Sequence, residues 1–458
     1  MSIQLRDPVH NFLTLYDDEV KLMDTWAIQR LRGIHQLALA KLVYPGSVHT
    51  RFDHSLGVAH VAGLMATELG LGEDDVRLVR IAGIVHDIGH GPFSHVSEHA
   101  LEVYADRSSL KPEQKQEKIH ELISARIIET DKEIVRILGQ AKCGNIVKLL
   151  GEGHGQPALK SIVSGPLDAD KQDYLLRDSL FCGVPYGVFD IHQMHRSLTL
   201  HGPDDEKQLM IKPDGIHAVE QYIMAKYYLT TNVYRHRVRL ITDQMIVRAI
   251  QLGIEKDQIE RLASLYRFDN SARFVDEYCS WDDGRFMQEF CINSADTRCK
   301  RLLSRLLRRK LLKRVFDARL TDFKADVADI LPQLTKVKRE LRARIEAAIA
   351  EELSTLVGRS VDPDQVIVNI FNIRSVRETS RNDSAPILVA RRSQDPEPFE
   401  EASSLFASID ARYSDEFVEV YAPVDWDTDA EKSRIRRVAR EMILKLIEQF
   451  SEEKGAGV

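Results

Sequence analysis

The 458-residue sequence predicts a mainly α protein, with a helical core and a small C-terminal α/β appendage. Two observations carry this expectation. Up to residue 350, apolar side chains recur mostly at three- and four-residue spacing, the signature of helices buried on one face. Beyond 355 the pattern changes to short runs rich in Val, Ile and Phe, bounded by polar turns, which reads as strands. The expected division is a helical core of residues 1–355 and a C-terminal unit of residues 356–458.

The core elements follow in order. Asp24 to Lys41 reads as one helix, opened by an Asp cap and stopped before Pro45 and Gly46. Ser55 to Leu69 is the next, ended by the Gly70–Gly72 break. Asp75 to Asp87 carries apolar residues at Val76, Val79, Ala82 and Val85, and a Gly-Pro stop follows at Gly91–Pro92. Lys118–Glu129, Glu133–Leu138, Gly215–Thr230 and Arg237–Leu252 continue the helical pattern. The charged stretches 104–118 and 202–208 read as surface loops. In the C-terminal unit, DQVIVNIFNI (364–373), APILVARR (385–392) and DEFVEVYAP (415–423) read as strands, with polar turns such as RNDS and QDPEPFEE between them. An amphipathic helix at 431–450 and a polar tail close the chain.

Composition sets bounds on function. Apolar residues are 43% and charged residues 29%, an ordinary globular balance. The five cysteines, at 143, 182, 279, 291 and 299, form no C-x-x-C pair, which disfavours a disulfide framework and a thiolate zinc site. MSIQLRDPVHNF is not an apolar signal segment, and no run of 18 apolar residues occurs. The expectation is a cytoplasmic protein with no membrane partner. A net charge of −7 and a pI of about 6.2 disfavour general coating of nucleic acid. KRLLSRLLRRKLLKR (300–314) departs from that mean with eight basic residues. It reads as a basic amphipathic helix, either a solvated face or an anion-binding surface for nucleotides, nucleic acid or a partner chain.

The chemistry-bearing stretch is IVHDIGHGPFSH (84–95), with three histidines and an aspartate. Imidazole and carboxylate groups are costly to bury unpaired, so a cluster of them wants a partner. In a helix running to Gly91, His86 and His90 would stand over one another, with Asp87 about 100 degrees around. A metal at that edge would take His86 and Asp87, leaving His90 near but not required. His54 in HTRFDHS and Asp170 in PLDADKQDYLLRD are the candidates for the remaining ligands. The same spacing also suits an acid–base network or a satisfied core pair. Mixed nitrogen and oxygen ligation suits Fe, Mn, Co, Ni or Zn, with Mg or Mn as a second ion held through phosphates. His90 and His95 suit acid–base work because an imidazole titrates near neutral pH.

RFDHSLGVAHVAG (51–63), HDIGHGPFSH (86–95), the IHE at 119–121 and DADKQDYLLRD (168–178) together resemble the HD-domain superfamily. More narrowly they resemble its deoxynucleoside triphosphate triphosphohydrolases, and DPVHNFLTLYDDE (7–19), IQRLRGIHQL (28–37) and VYPGSVHTRFDHSLG (43–57) extend the likeness upstream. The resemblance implies one metal held by His54, His86, Asp87 and Asp170, and cleavage between the α-phosphorus and the 5′ oxygen to give deoxynucleoside and triphosphate. By the same resemblance His95 contacts the α-phosphate or protonates the leaving oxygen, His90 works with Glu121, and His120 meets phosphate. Arg51 and Lys171 grip the triphosphate, Tyr174 and Asp178 face sugar and base, and Gln36 monitors the 3′-hydroxyl. Tyr234 and His236 fall in the matching KYYLTTNVYRHRVR stretch (226–239), while Lys226 and Thr230 stand where vertebrate members have Arg and His.

Family members also assemble around regulatory nucleotides. Asp24, Gln29 and Arg32 match residues that recognise a guanine nucleotide at a subunit contact, which implies a dimer or tetramer. On the opposite half, Gln193, Lys212 and Asp214 replace basic residues. The competing readings are an HD phosphohydrolase acting on nucleoside monophosphates or another nucleotide, and a nucleotide- or nucleic-acid-binding protein with little catalysis.

Overall fold

The computed structural model describes residues 2–151, 156–203, 206–335, 338–373, 376, 386–391, 395–409 and 415–455. It opens with an antiparallel hairpin that helical periodicity did not announce, Ser2–Asp7 against Asn11–Tyr16 with Ser2 opposite Tyr16. The Asp7 carboxylate accepts the N–H groups of Val9 and His10 at 2.9 and 2.8 Å and so fixes the turn. The chain divides into two compact units, each assembled from separate segments.

The first unit comprises Met1–His236, Glu260–Gln288 and Val376–Ala411. Its centre is three helices, Arg51–Glu68, Glu73–Val85 and Ala169–Cys182. Two glycines set how closely they approach. A Cβ at Gly83 would lie 2.9 Å from the Ala59 nitrogen, so the first two helices cross almost backbone to backbone. A Cβ at Gly57 would lie 1.9 Å from Asp173 Oδ1, so the third helix is admitted only because position 57 has no side chain. These approaches bring the 54, 86 and 170 positions together.

Most expected helices appear with small shifts of boundary, among them Ile119–Thr130, Lys132–Leu138, Ile216–Leu229 and Arg237–Glu255. The expected Asp24–Lys41 helix does not. Trp26–Gln29 forms one helical turn and Arg30–Gly33 a tighter 3-10 turn, after which Ile34 is extended and His35 bridges to Thr50. The Asp283 carboxylate takes the His35 N–H at 3.1 Å, a partner 248 residues away that local periodicity cannot reveal. A four-stranded sheet runs Leu198–His201, Gln208–Ile211, Leu388–Val389, Glu397–Pro398, with its middle pair parallel. The expected strand at 385–392 is thus realised at 388–389; residues 385 and 392 and the RNDS turn lie outside the described residues.

The second unit comprises Arg237–Ile259, Glu289–Ser375 and Arg412–Val458. Its antiparallel sheet has Asp415–Ala422 at the centre, Lys313–Arg319 on one side and Ile367–Ile373 on the other. The Arg339–Val357 and Asp429–Gly455 helices contribute Ile345, Ile349, Leu353, Ala439, Ile443 and Ile447 to the core, each series spaced by four. The division therefore falls elsewhere than at 355. The central strand pairs with one strand from before that point and one from after it, so residues 356–458 do not form a unit alone. The basic stretch 300–314 is likewise only partly helical. Its helix spans Arg298–Leu307, Arg309 takes a positive φ of 53°, and Lys313 and Arg314 enter the sheet against Ala422 and Tyr421. No helix among the described residues is long and apolar enough to cross a membrane.

Candidate metal centre

His54 lies on the first turn of the Arg51–Glu68 helix, which starts after Thr50, whose N–H is taken by Asp53 at 2.9 Å. Its ring is fixed from behind, because Nδ1 meets Asp173 Oδ2 at 2.8 Å while Nε2 faces Asp170 Oδ1 at 2.9 Å. His86 caps the Glu73–Val85 helix, earlier than the expected stop near Gly91. The Ser124 hydroxyl ends this helix by donating to the His86 carbonyl at 3.0 Å and accepting the Gly89 N–H at 2.9 Å. As a result His90 does not stand over His86 but turns toward a different group of side chains.

The His86 ring is anchored by Nδ1 on the Gly83 carbonyl at 2.8 Å, and its Nε2 is buried without a hydrogen-bond partner. That orphaned nitrogen lies 3.3 Å from Asp87 Oδ1 and 3.7 Å from Asp170 Oδ1, and His54 Nε2 lies 3.6 Å from Asp87 Oδ2. One donor atom each from His54, His86 and Asp170 falls within 4.8 Å of the others. Two imidazoles held by Nδ1, with both Nε2 atoms turned toward two carboxylates, are a donor set that fits one divalent ion with N and O ligation.

Electrostatics agree with that fit. Burial disfavours charge on His54, but its hydrogen bonds to Asp170 and Asp173 outweigh burial and lift the imidazole to about 9. Burial opposes His86 too, and Asp87 and Asp170 raise it well above the usual value. Asp87 is pushed up by burial yet held well below the ordinary carboxylate range by Arg51 and His86. Asp170 is lowered in the same way by His54 and His86. The carboxylates thus demand positive charge between them, which a cation supplies better than protons.

Around this centre, Arg51 is 1% exposed, pairs with Asp87 through Nη1, and donates from Nε to Ser94 Oγ at 2.9 Å. Its Nη2 is buried with no hydrogen-bond partner, as is Oε1 of Gln36. Asp178 joins two groups: His49 Nε2 at 2.7 Å and the Tyr234 hydroxyl, which donates at 2.6 Å. Tyr174 meets the Tyr234 ring edge-on at 6.3 Å. Lys171 Nζ is bonded to the Gly165 carbonyl at 3.1 Å and to Asp168. Lys226 is partly buried on the Ile216–Leu229 helix, and His236 lies edge-on to Tyr44 at 5.8 Å.

The second group holds the largest departure from expectation. The carboxylate that meets His90 is Glu98, not Glu121. Glu98 Oε1 lies 3.2 Å from His90 Nδ1, 2.6 Å from His95 Nδ1 and 3.5 Å from His120 Nδ1. Glu121 is exposed and faces Lys118 at 3.4 Å, because it occupies the outer side of the Ile119–Thr130 helix while His120 points inward. Burial and then Arg51 hold the His90 imidazole well below its usual pKa. The only hint of Glu98 in the sequence was its place three residues after His95, within reach on one helix face. Asp173 and His49, also unforeseen, lie inside the DADKQDYLLRD and VYPGSVHTRFDHSLG stretches, where nothing in the sequence marks them off from their neighbours. Away from the centre, Asp24 is exposed, Gln29 accepts from Arg32 Nε at 2.9 Å, and the Arg32 guanidinium lies 3.5 Å from the Phe52 ring centroid.

Comparison with known proteins gives the family and the fold. Residues 51–164 match the HD domain and residues 189–449 match the HD associated region. The chain is 34% identical over 263 residues to an uncharacterized protein, YwfO, of Bacillus subtilis, covering 55% of this chain and 56% of that one. It is 27% identical over 405 residues to the deoxynucleoside triphosphate triphosphohydrolase SAMHD1 of Homo sapiens, covering 81% of this chain and 62% of that one. The chain thus spans about half to three fifths of the length of these curated relatives. Its fold is similar to that of a phosphohydrolase from Bacteroides thetaiotaomicron, with a TM-score of 0.71 at 21% identity, over 92% of this chain and all of the other.

Proposed function

The chain belongs to the HD-domain family, and from that premise we propose that it is a cytoplasmic, metal-dependent hydrolase of deoxynucleoside triphosphates that releases deoxynucleoside and inorganic triphosphate. The observation that carries this reading is the convergence of His54, His86, Asp87 and Asp170 on one space, with His86 Nε2 buried and unpartnered there. When bound, a divalent ion such as Fe, Mn, Co, Ni or Zn lowers the pKa of water and neutralises phosphoryl charge. The protein's own groups do the rest. Arg51 offers its unpartnered Nη2 to a phosphate beside the centre. Gln36 presents an unpartnered Oε1 that suits a ribose hydroxyl. Tyr234, hydrogen-bonded to Asp178, and Tyr174, edge-on to Tyr234, offer a wall on which a deoxyribose would pack, with Asp178 held in place by His49. His95, whose side chain is 58% exposed and bonded through Nδ1 to Glu98, is positioned to hand a proton to a leaving oxygen.

One observation favours a second reading. Lys171 is already engaged by Asp168, which leaves fewer cations for three phosphates than the resemblance implies. An HD phosphohydrolase acting on nucleoside monophosphates or another nucleotide needs fewer. Incubation with each dNTP in Mn or Mg, followed by chromatography, separates these readings. Nucleoside plus triphosphate supports the first; monophosphate plus pyrophosphate, or turnover of monophosphates alone, rejects it. The assembly that fits the reading is a dimer or tetramer with a regulatory nucleotide near Asp24, Gln29 and Arg32. Gel filtration with and without dNTP and GTP tests it, and a monomer in both conditions rejects it.

A further inference from the structure

Three imidazole Nδ1 atoms, from His90, His95 and His120, surround one carboxylate oxygen of Glu98 at 3.2, 2.6 and 3.5 Å. Two of these nitrogens, His90 Nδ1 and His120 Nδ1, are buried without a hydrogen-bond partner, in residues only 1% and 8% exposed. A buried polar atom left without a partner is costly. Two of them, in rings stacked 4.4 Å apart and both turned to the same carboxylate, call for a shared occupant. One donor atom each from His90, His95 and Glu98 lies within 4.8 Å of the others, a spacing that admits one zinc-sized ion between them.

We propose that His90, His95 and Glu98, with His120 beside them, form a second metal site, for a borderline ion such as Zn, Ni or Co. The site shares no donor atom with the centre at His54, His86, Asp87 and Asp170. The His90 ring stands between the two, with Nε2 facing Asp87 Oδ1 at 3.2 Å and Nδ1 facing Glu98. A carboxylate behind one imidazole nitrogen orients the other toward a metal, the same device that His54 and Asp173 use. The nitrogen-rich donor set disfavours Mg and Ca, which prefer oxygen. Occupation would hold His95 against Glu98. If His95 is the proton donor, a premise that rests on the proposed function, the second ion inhibits the reaction that the first one supports.

The test uses the full-length protein, stripped by a chelator and titrated with zinc in a calorimeter, with bound metal counted by mass spectrometry. Wild type is expected to bind two equivalents, and Glu98→Gln and His95→Gln one each. Asp170→Asn is expected to weaken the first site while keeping the second. The His95 side chain is mostly exposed, so His95→Gln remains informative if Glu98→Gln fails to fold. Cobalt at the second site should add visible absorption of tetrahedral intensity in wild type that His95→Gln lacks. One equivalent in wild type, or a second that survives both variants, overturns the site. With manganese already loaded, zinc is expected to slow hydrolysis at least tenfold, and unchanged turnover at two bound equivalents overturns the inhibition. If no nucleotide is turned over at all, the proposed function fails while the stoichiometry still decides the site.

Discussion

Asp173 faces His54 from behind: its Oδ2 lies 2.8 Å from His54 Nδ1, and the Asp173 side chain has no exposed surface. The same carboxylate receives Arg177 Nε at 2.8 Å and Nη2 at 2.9 Å, and Arg177 reaches Asp7 of the N-terminal hairpin at 2.8 Å. A hairpin distant in sequence is therefore wired through two side chains to the orientation of a metal ligand. Asp173→Asn keeps the volume but places an amide where two donors need acceptors. It is expected to weaken metal binding about 10- to 100-fold. Calorimetric titration with manganese reads this directly, and an affinity equal to wild type would refute the orienting role.

Removing the ion should also cost stability. The metal-free centre sets Asp87 and Asp170 among groups that must stay protonated, with His54 lifted to about 9. An ion present at a hundredfold excess over its dissociation constant stabilises the folded state by about 2.7 kcal/mol. A chelated sample is expected to melt several degrees lower than a manganese-loaded one in scanning calorimetry. Coincident transitions would mean that the cluster holds no ion.

The four proposed ligands were legible because they sit in short, dense strings, HDIGH and DADKQD among them, whose imidazole and carboxylate groups need partners wherever they are buried. Their surroundings were less so. The stop at Val85 depends on Ser124, and the break after Gly33 on Asp283, both remote in sequence. The sheet posed the same difficulty. Lys313–Arg319 follows a run of leucines and arginines that continues a helical pattern, and only pairing with Asp415–Ala422 makes it a strand. Glu121 takes its expected role from resemblance alone, and the roughly 100 degrees between neighbours on a helix leave it exposed beside Lys118 while His120 is buried.

The second unit has its own buried charge cluster. Glu346 is 3% exposed and accepts from Arg248, from Arg342 Nε at 2.9 Å and from the Val368 N–H at 3.0 Å. Burial would raise this carboxyl, but Arg248 and Arg342 hold it below the usual range. Glu346→Ala leaves two arginines facing each other in the interior and is expected to cost about 3–5 kcal/mol. Replacing all three charges with Met or Leu should recover most of that loss. Urea unfolding of the single and triple variants checks both expectations, and a single variant as stable as wild type would rule out the cluster as a brace.

Acid should destabilise the first unit through a histidine outside the proposed ligand set. His195 is 7% exposed, with Nε2 2.7 Å from Gln172 Oε1, and burial, aided by His192 and His10, presses its pKa to about 4. An unfolded histidine titrates near 6.5, so between pH 6.5 and 4 the unfolded chain binds a proton that the folded chain refuses. The stability that His195 contributes is therefore full above pH 6.5 and is lost as pH falls toward 4. From pH 7 to pH 5 the loss amounts to about 2 kcal/mol. Other groups, including the raised His54, titrate over neighbouring ranges, so the difference between wild type and His195→Gln isolates this one. Urea unfolding at both pH values should show a smaller acid loss in the variant by about that amount, and equal losses in the two proteins would refute the assignment.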